Sequence, residues 1–490
     1  MTARMKRTLA ATAVAVLALP APAMADSLDA ANAGVLGDSV ALNTLWVVIA
    51  AVLVLLMLAG LLCLEAGMSR MKNVGTLVPK ALISMAVAGI AYYAVGFAFA
   101  FGNGDIIGTK GFFLRAYGDP QEAFGIMGLS DALIESKWLF QFAFCAVCLA
   151  IVWGSTLERI KFHAHAIFAL VFAGFIYPLA SHWVFGGGWL QSNIGMQDFA
   201  GSTAVHLVGA TGALAGLIVL GARRGKYGAD GSVRPIPGHS MFILGLGMFI
   251  LLFGWFGFNA GSTLGVTDGR FAEVAMVTML GASGGILGSY LATVVLQRTV
   301  DIGMVCNGLI AGLVAITAPS GYVENWAAPI IGIVGGLIVV PSILLIDRKL
   351  DDPVGVLSAH GIAGVWGTLA CGLFTAPRFA QYAAIGDPDG GLVYSGSLTQ
   401  MGHQALGVVV VFALVLVLCL GTWYAIAKTI GLRVSAEEER AGLDISEHGM
   451  YGYPEQFIPD AELYGPAVPA AVKLNGHAPA PAGSAETSPA

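Results

Sequence analysis

The chain has 490 residues, a formal net charge of −6 and a mean hydropathy of +0.79. Hydrophobic residues make up 57% and charged residues only 11%, too little charge to cover a soluble protein of this length. The acidic balance excludes nucleic acid as a partner class, and apolar stretches near twenty residues long recur throughout, which reads as a polytopic helical membrane protein.

The first element is a processing signal. Arg4, Lys6 and Arg7 precede the apolar run from Leu9 to Leu19, and Ala23-Met24-Ala25 forms a small-x-small cleavage site. Residues 1–25 read as a signal peptide, with the mature N-terminus outside the cytoplasm. An uncleaved first helix is the alternative, and it would be short.

Eleven apolar spans follow, at roughly 44–66, 79–102, 138–157, 164–184, 202–222, 239–260, 272–295, 302–318, 327–346, 355–375 and 402–427. A polar external segment, 103–136, separates the second and third. One set of loops carries Arg70, Lys72, Lys80, Arg159, Lys161, Arg223, Arg224, Lys226, Arg234, Arg298, Arg348 and Lys349. The other set is poor in basic residues, so the first set is expected in the cytoplasm. A soluble cytoplasmic tail, 428–466, follows the last span, and an Ala/Pro-rich end, 467–490, has the composition of a disordered segment. The membrane domain is placed at 40–427. The six cysteines lie in or beside apolar runs and match no zinc spacing; they read as small packing residues.

Two stretches repeat a pattern: Asp198-FAGSTAV-His206 and Asp352-PVGVLSA-His360. In each, an Asp stands eight residues before a His that opens a Gly/Ala-rich apolar run. Ionisable groups inside a membrane are costly and rarely idle. The two units lie five spans apart and enter from opposite faces, the mark of an inverted repeat with a transport site between its halves. Helical spacing puts His206 on a face with Gly209, Ala210, Ala213 and Gly216, and His360 on one with Ala363, Gly364, Gly367 and Cys371. Such small-residue faces permit close helix approach and argue against a bis-His haem pocket. Each His stands only four or five residues into its span, on the order of 6–8 Å. The rings therefore meet only if both helices start deep behind re-entrant loops, and Gly186-Gly187-Gly188 suits one. Otherwise they are separate buried histidines. The Asp residues read as helix caps. Asp352 is structural, and Asp198, on the external side, could also attract a cation.

A third motif is Trp255-FGFNAG-Ser262, in which Trp255, Phe258, Asn259 and Ser262 fall on one helical face. Aromatic faces attract cations. An interfacial aromatic belt is the plainer reading, but a Ser and an Asn on that face should not meet lipid. Gln141 and Phe144 form a weaker face of the same kind.

These stretches, with Glu65-AGMSRMK-Asn73, Glu158-RIK-Phe162, His360-GIAGVW-Gly367 and Gly442-LDISEH-Gly449, resemble the ammonium transporter family, the Amt/Mep/Rhesus proteins, over about residues 40–455. The tail motif is similar to the microbial Amt branch. The resemblance implies an all-α membrane protein of eleven helices, an inverted five-plus-five repeat with a final helix, and a homotrimer in the inner membrane with one pore per subunit. It implies an external ammonium recruitment site containing Phe144 and Ser262, gate rings Phe144 and Phe258, pore histidines His206 and His360 that meet, an integrity carboxylate Asp198, and pore-lining Trp255. Phe185 is a departure, since the family often has Trp before the triple glycine; Phe is the weaker cation–π partner. Moving a bare ammonium ion through an apolar pore has a Born cost of order 20 kcal/mol. The expected mechanism deprotonates the ion, conducts ammonia, and transfers the proton separately through the histidines. No cofactor or enzymatic activity is expected. Methylammonium would serve as an analogue, and a PII-family signal protein is implied as the partner of a regulatory tail. The rival functions are an ammonium sensor signalling through its tail, and a neutral-gas pore of Rhesus type.

Overall fold

A computed structural model describes residues 37–115 and 120–457. The expected signal segment and the Ala/Pro-rich end lie outside the described residues. Among the described residues, ten helices are long and apolar enough to cross a membrane: α1 Asp38–Met68, α2 Met71–Phe101, α3 Ile134–Gly154, α4 Phe162–Val184, α5 Ser202–Leu220, α6 Met241–Ala260, α7 Arg270–Gln297, α9 Ala327–Ile346, α10 Leu357–Phe374 and α11 Thr399–Thr429. The shorter apolar helix α8, Ile302–Thr317, completes the set of eleven. Among the described residues there is no strand beyond isolated bridges such as Ile160 with Arg433. In lipid this is the expected outcome, because helices satisfy their own backbone.

Helix faces sort by partner. In α1, Val47, Ala50, Val54, Met57, Leu61 and Leu64 are buried, while Leu45, Ile49, Val52 and Leu56 on the other side are exposed. The same division marks α6, α7, α9 and α11, which form the rim and leave large apolar side chains for lipid or a neighbour. By contrast α3 and α5 are almost wholly buried, and α4 and α10 mostly so. These helices form the centre.

The two repeated units enter from opposite sides, as the loop order requires. Asp198 lies against a large cavity at one face, the mouth side. Asp351, beside Asp352, is held by arginines at the other face, the tail side. The chain reverses sharply into both helices. Gly201, with φ +118°, and Gly355, with φ +77°, stand three residues after their Asp and adopt a backbone that favours glycine. Both turns are buried in protein, so α5 and α10 do start at depth.

Boundaries differ from expectation where polar residues are absorbed into helices. α1 begins at Asp38 rather than 44, and α2 at Met71 rather than 79. Lys80 lies within α2 and is buried, not in a basic loop. After α11 the tail folds back on the tail side as the short helices α12, Ala436–Ala441, and α13, Leu443–His448. Ser435 opens α12 with a capping box, its side chain accepting from the Glu438 N–H while the Glu438 carboxylate accepts from the Ser435 N–H.

Candidate functional site

The mouth-side cavity has a volume of about 300 Å³ and is lined by Phe140, Gln141, Phe144, Phe185, Asp198 and Ser262 among others. Ser262 donates its hydroxyl to the Phe258 carbonyl at 2.8 Å, which leaves its oxygen lone pairs free to accept from a cation's N–H. Gln141 is buried, and its Oε1 has no protein partner among the described residues. Trp183 does not line the cavity; its indole donates to the Ile106 carbonyl at 2.8 Å. The aromatic supplied ahead of the triple glycine is therefore Phe185.

Below the cavity the path is closed. Phe144 of α3 and Phe258 of α6 stack with centroids 4.0 Å apart and 16° between planes, and both are buried. The stack continues inward. His206 lies 5.4 Å from Phe258 and 5.1 Å from Trp255, nearly parallel to the latter at 15°. Trp255 is fixed by its indole N–H, which donates to the Thr317 hydroxyl at 2.9 Å.

The two histidines meet. His206 Nδ1 and His360 Nδ1 are 3.1 Å apart, a hydrogen bond in which one ring donates and the other accepts. The depth difficulty is resolved by geometry, because both helices begin inside the protein and α10 presses on α5. A Cβ on Gly364 would stand 2.7 Å from the Ser202 carbonyl oxygen, so the small-residue face of α10 is in use there. Gly209 instead faces α3, where a Cβ would meet the Cys148 carbonyl at 2.9 Å.

Each histidine sits in a widened π-turn, Ser202–Leu207 and Leu357–Ile362, and so does Phe258, in Phe256–Ala260. Such turns gather at functional sites, and they shift side chains off the ordinary 3.6-residue register. Asn259 shows the effect. It does not join the aromatic face as spacing predicts, but donates to the Thr278 hydroxyl on α7 at 3.0 Å.

The two aspartates are unequal caps. Asp198 accepts four backbone N–H groups, from Gly201 and Ser202 on Oδ1 and from Thr203 and Ala204 on Oδ2, at 2.8–2.9 Å. Asp352 accepts from Leu357 at 2.8 Å, and its other oxygen has no partner among the described residues. The sequence pattern holding both turns is Asp-x2-Gly-x4-His, and its glycine was legible but easily passed over.

On the tail side an ion-pair network joins four loops. Arg70 pairs with Glu158 at 2.5 Å, Arg223 pairs with Asp351 at 2.8 Å, and Arg159 donates to the Asp351 carbonyl at 3.0 Å. Burial pushes the Asp351 carboxyl up, but the Arg223 hydrogen bonds and the Arg223 and Arg159 charges outweigh it and hold it at about 2. Glu158 is likewise held below its ordinary value, burial being overcome by Arg70 and Arg223. The tail docks beside this network. Lys72 donates to the Arg440 carbonyl, Leu443 donates to Asn73, and Asp444 accepts from the Gly75 and Thr76 N–H groups.

The model of the Ammonium Transporter Family matches residues 45–453. The chain belongs to the ammonium transporter family. Ammonium transporter Amt2 of Archaeoglobus fulgidus is 39% identical over 443 residues, covering 88% of this chain and 91% of that protein. Ammonium transporter 3 of Dictyostelium discoideum is 35% identical, covering 84% and 94%. Among solved structures, the Sensor Amt Protein aligns with a TM-score of 0.75 at 32% identity, covering 84% of this chain and 99% of that one. Mep2 of Candida albicans aligns with a TM-score of 0.72 at 28% identity, covering 81% and 87%. The family membership and the eleven apolar helices make this a multi-pass membrane transporter with ammonium as its substrate.

Proposed function

We propose that this transporter recruits ammonium in the mouth-side cavity, strips its proton there, and passes ammonia behind the Phe144–Phe258 stack to the histidine pair. The observation that carries the reading is the continuous column Phe144, Phe258, His206, His360, with its outer contacts at 4.0 Å between rings and 3.1 Å between nitrogens and its middle contact, Phe258 to His206, at 5.4 Å between rings. A cation reaching Phe144 and Phe185 meets aromatic faces and the Ser262 oxygen, which favour it. Beyond the stack an ion would meet Trp255 and Phe258 beside His206 and then the histidine pair, and bare it would have to shed its hydration at a Born cost of order 20 kcal/mol. A neutral amine avoids that cost. The bonded imidazoles can hold ammonia by one nitrogen and exchange a proton through the other. Asp198 acts by holding the turn that carries His206, since its oxygens are occupied by four N–H groups.

The basic loops gather on the face where the tail docks, which supports a cytoplasmic tail and an external mouth in an inner (plasma) membrane. The apolar rim of α6, α7, α9 and α11 supports a homotrimer. The tail, 428–466, then offers a regulatory platform under each pore for a PII-family protein. Residues 1–25 would be removed as a signal peptide, 40–427 would be the transport domain, and 467–490 a disordered end.

A second reading, ammonium sensing with little flux, is favoured by the likeness to a solved structure described as a sensor. Purified protein in proteoliposomes separates the two: the transporter reading expects ammonium-driven current and labelled methylammonium uptake, both absent from empty vesicles. Ligand-dependent tail movement without flux would overturn it in favour of sensing.

A further inference from the structure

Transport as argued above leaves a buried carboxylate and a buried ammonium without a task. Glu65, on α1, is only 4% exposed and forms a wall of two small cavities. The first cavity is shared with His360, Asn307 and Val356, and the second with Lys80, Trp153 and Thr156. Each has a volume of about 10 Å³, the room a single water needs. Packing does not explain a carboxylate here, because Leu61, Leu64, Ala150 and Ile151 make the neighbouring wall apolar. The Trp153 side chain lines the second cavity beside Glu65.

Lys80 on α2 is 6% exposed, and its Nζ has no hydrogen-bond partner among the described residues. An ammonium buried in this way is costly unless opposite charge or water compensates it. The groups facing it are Glu65 from α1, His165 from α4, and Asp444, Glu447 and His448 from the tail. His165 is buried with both ring nitrogens unpartnered among the described residues, its ring 5.2 Å from Trp153. The tail roofs the cluster through a bond of 2.8 Å between His448 Nε2 and the Thr76 hydroxyl.

We propose that Glu65 accepts the proton that leaves the histidine pair on the tail side, with Lys80 as its fixed counter-charge. This rests on the proton transfer proposed above. In the step, an N–H bond of the His360 imidazolium breaks, the proton crosses one water in the first cavity, and an O–H bond forms on Glu65. The ring becomes neutral and the carboxylate becomes a carboxylic acid. Glu65 then gives the proton to water in the second cavity and so to the tail-side solvent. Lys80 stays charged and draws the carboxylate back to its ionised form. Ammonia needs none of these groups, so the proton's route parts from ammonia's below His360.

The test is current in proteoliposomes after an ammonium jump, with labelled methylammonium uptake in parallel. Glu65→Gln keeps the shape and removes the acceptor; its current is expected to fall about tenfold or more, as for loss of a proton-transfer group. Glu65→Asp should restore most of it. Lys80→Met should move the current's pH profile toward higher tail-side pH, because a carboxylate without its counter-charge releases the proton less readily. A merely structural Lys80 would change amplitude and leave the profile in place. Current in Glu65→Gln within twofold of the parent, or an unmoved profile in Lys80→Met, overturns the assignment. Should Glu65→Gln fail to fold, the Lys80→Met profile decides. Uptake without current in the parent protein would instead refute the underlying proton-transfer reading.

Discussion

The unequal aspartate caps give the sharpest prediction. Asp198→Asn keeps the shape of the side chain but turns one acceptor oxygen into an NH2 group. Whichever way the amide is turned, two of the four backbone N–H groups lose their acceptor and face a donor. A buried donor left unsatisfied costs about 1–3 kcal/mol, so the variant should lose about 2–6 kcal/mol. Asp352→Asn can turn its amide oxygen toward the Leu357 N–H and keep the one hydrogen bond its carboxyl makes among the described residues, so it should cost about 1 kcal/mol. Thermal unfolding of both variants in one detergent should rank Asp198→Asn well below Asp352→Asn, which should lie near the parent. Methylammonium uptake should follow the same order. His206 rides on the turn Asp198 holds, and 1.4 kcal/mol of lost positioning is about tenfold in rate. Equal melting and equal uptake in the two variants would refute the capping argument, and so would a parent-like Asp198→Asn.

His206→Ala and His360→Ala should each abolish discrimination between ammonium and potassium or stop net transport; currents and selectivity like the parent's in both would refute the role given to the pair. Phe185→Trp should lower the half-saturation for ammonium and methylammonium by about twofold to tenfold, the span of about 0.5–1.4 kcal/mol in cation–π strength; unchanged values for both ions would end that idea. Asp351 sets an acid limit. Its carboxyl is at about 2 in the folded protein and near 4 when unfolded. The stabilisation is therefore fully present above pH 4 and lost as pH falls from about 4 to 2, an amount of roughly 2.5 kcal/mol by linkage. Melting temperature measured against pH should drop through that window, and Asp351→Asn should be less stable at neutral pH with a flatter acid limb. An acid limb as steep as the parent's would count against it.

The membrane spans were legible because twenty apolar residues leave few alternatives in lipid. So was the opposite entry of the two His units, since loop charge and span count fix it. Contact between His206 and His360 was not derivable from spacing, because it depends on how deep α5 and α10 begin. That depth is set by the turns at Gly201 and Gly355. The π-turns were also hidden: a face drawn at 3.6 residues per turn puts Asn259 beside Trp255, whereas the widened turn sends it to Thr278. Long-range partnerships were the other blind spot. Lys80 looks like a loop cation in sequence and is buried, sharing a small cavity with Glu65. Arg70, Glu158, Arg223 and Asp351 come from four separate loops, and only the folded chain brings them together.

The Phe144–Phe258 stack has a kinetic consequence. With ring centroids 4.0 Å apart the rings leave no standing aperture between them, so on the proposed route every molecule must wait for them to part. Throughput is then set by the fraction of time the rings spend apart multiplied by the passage rate while they do, as for any site whose competent state is a minor one. Flux through such a pore should saturate at modest turnover and rise with temperature more steeply than diffusion through water does. A smaller residue at either position would trade that waiting time for speed, and would surrender the seal that keeps water and ions from filling the column.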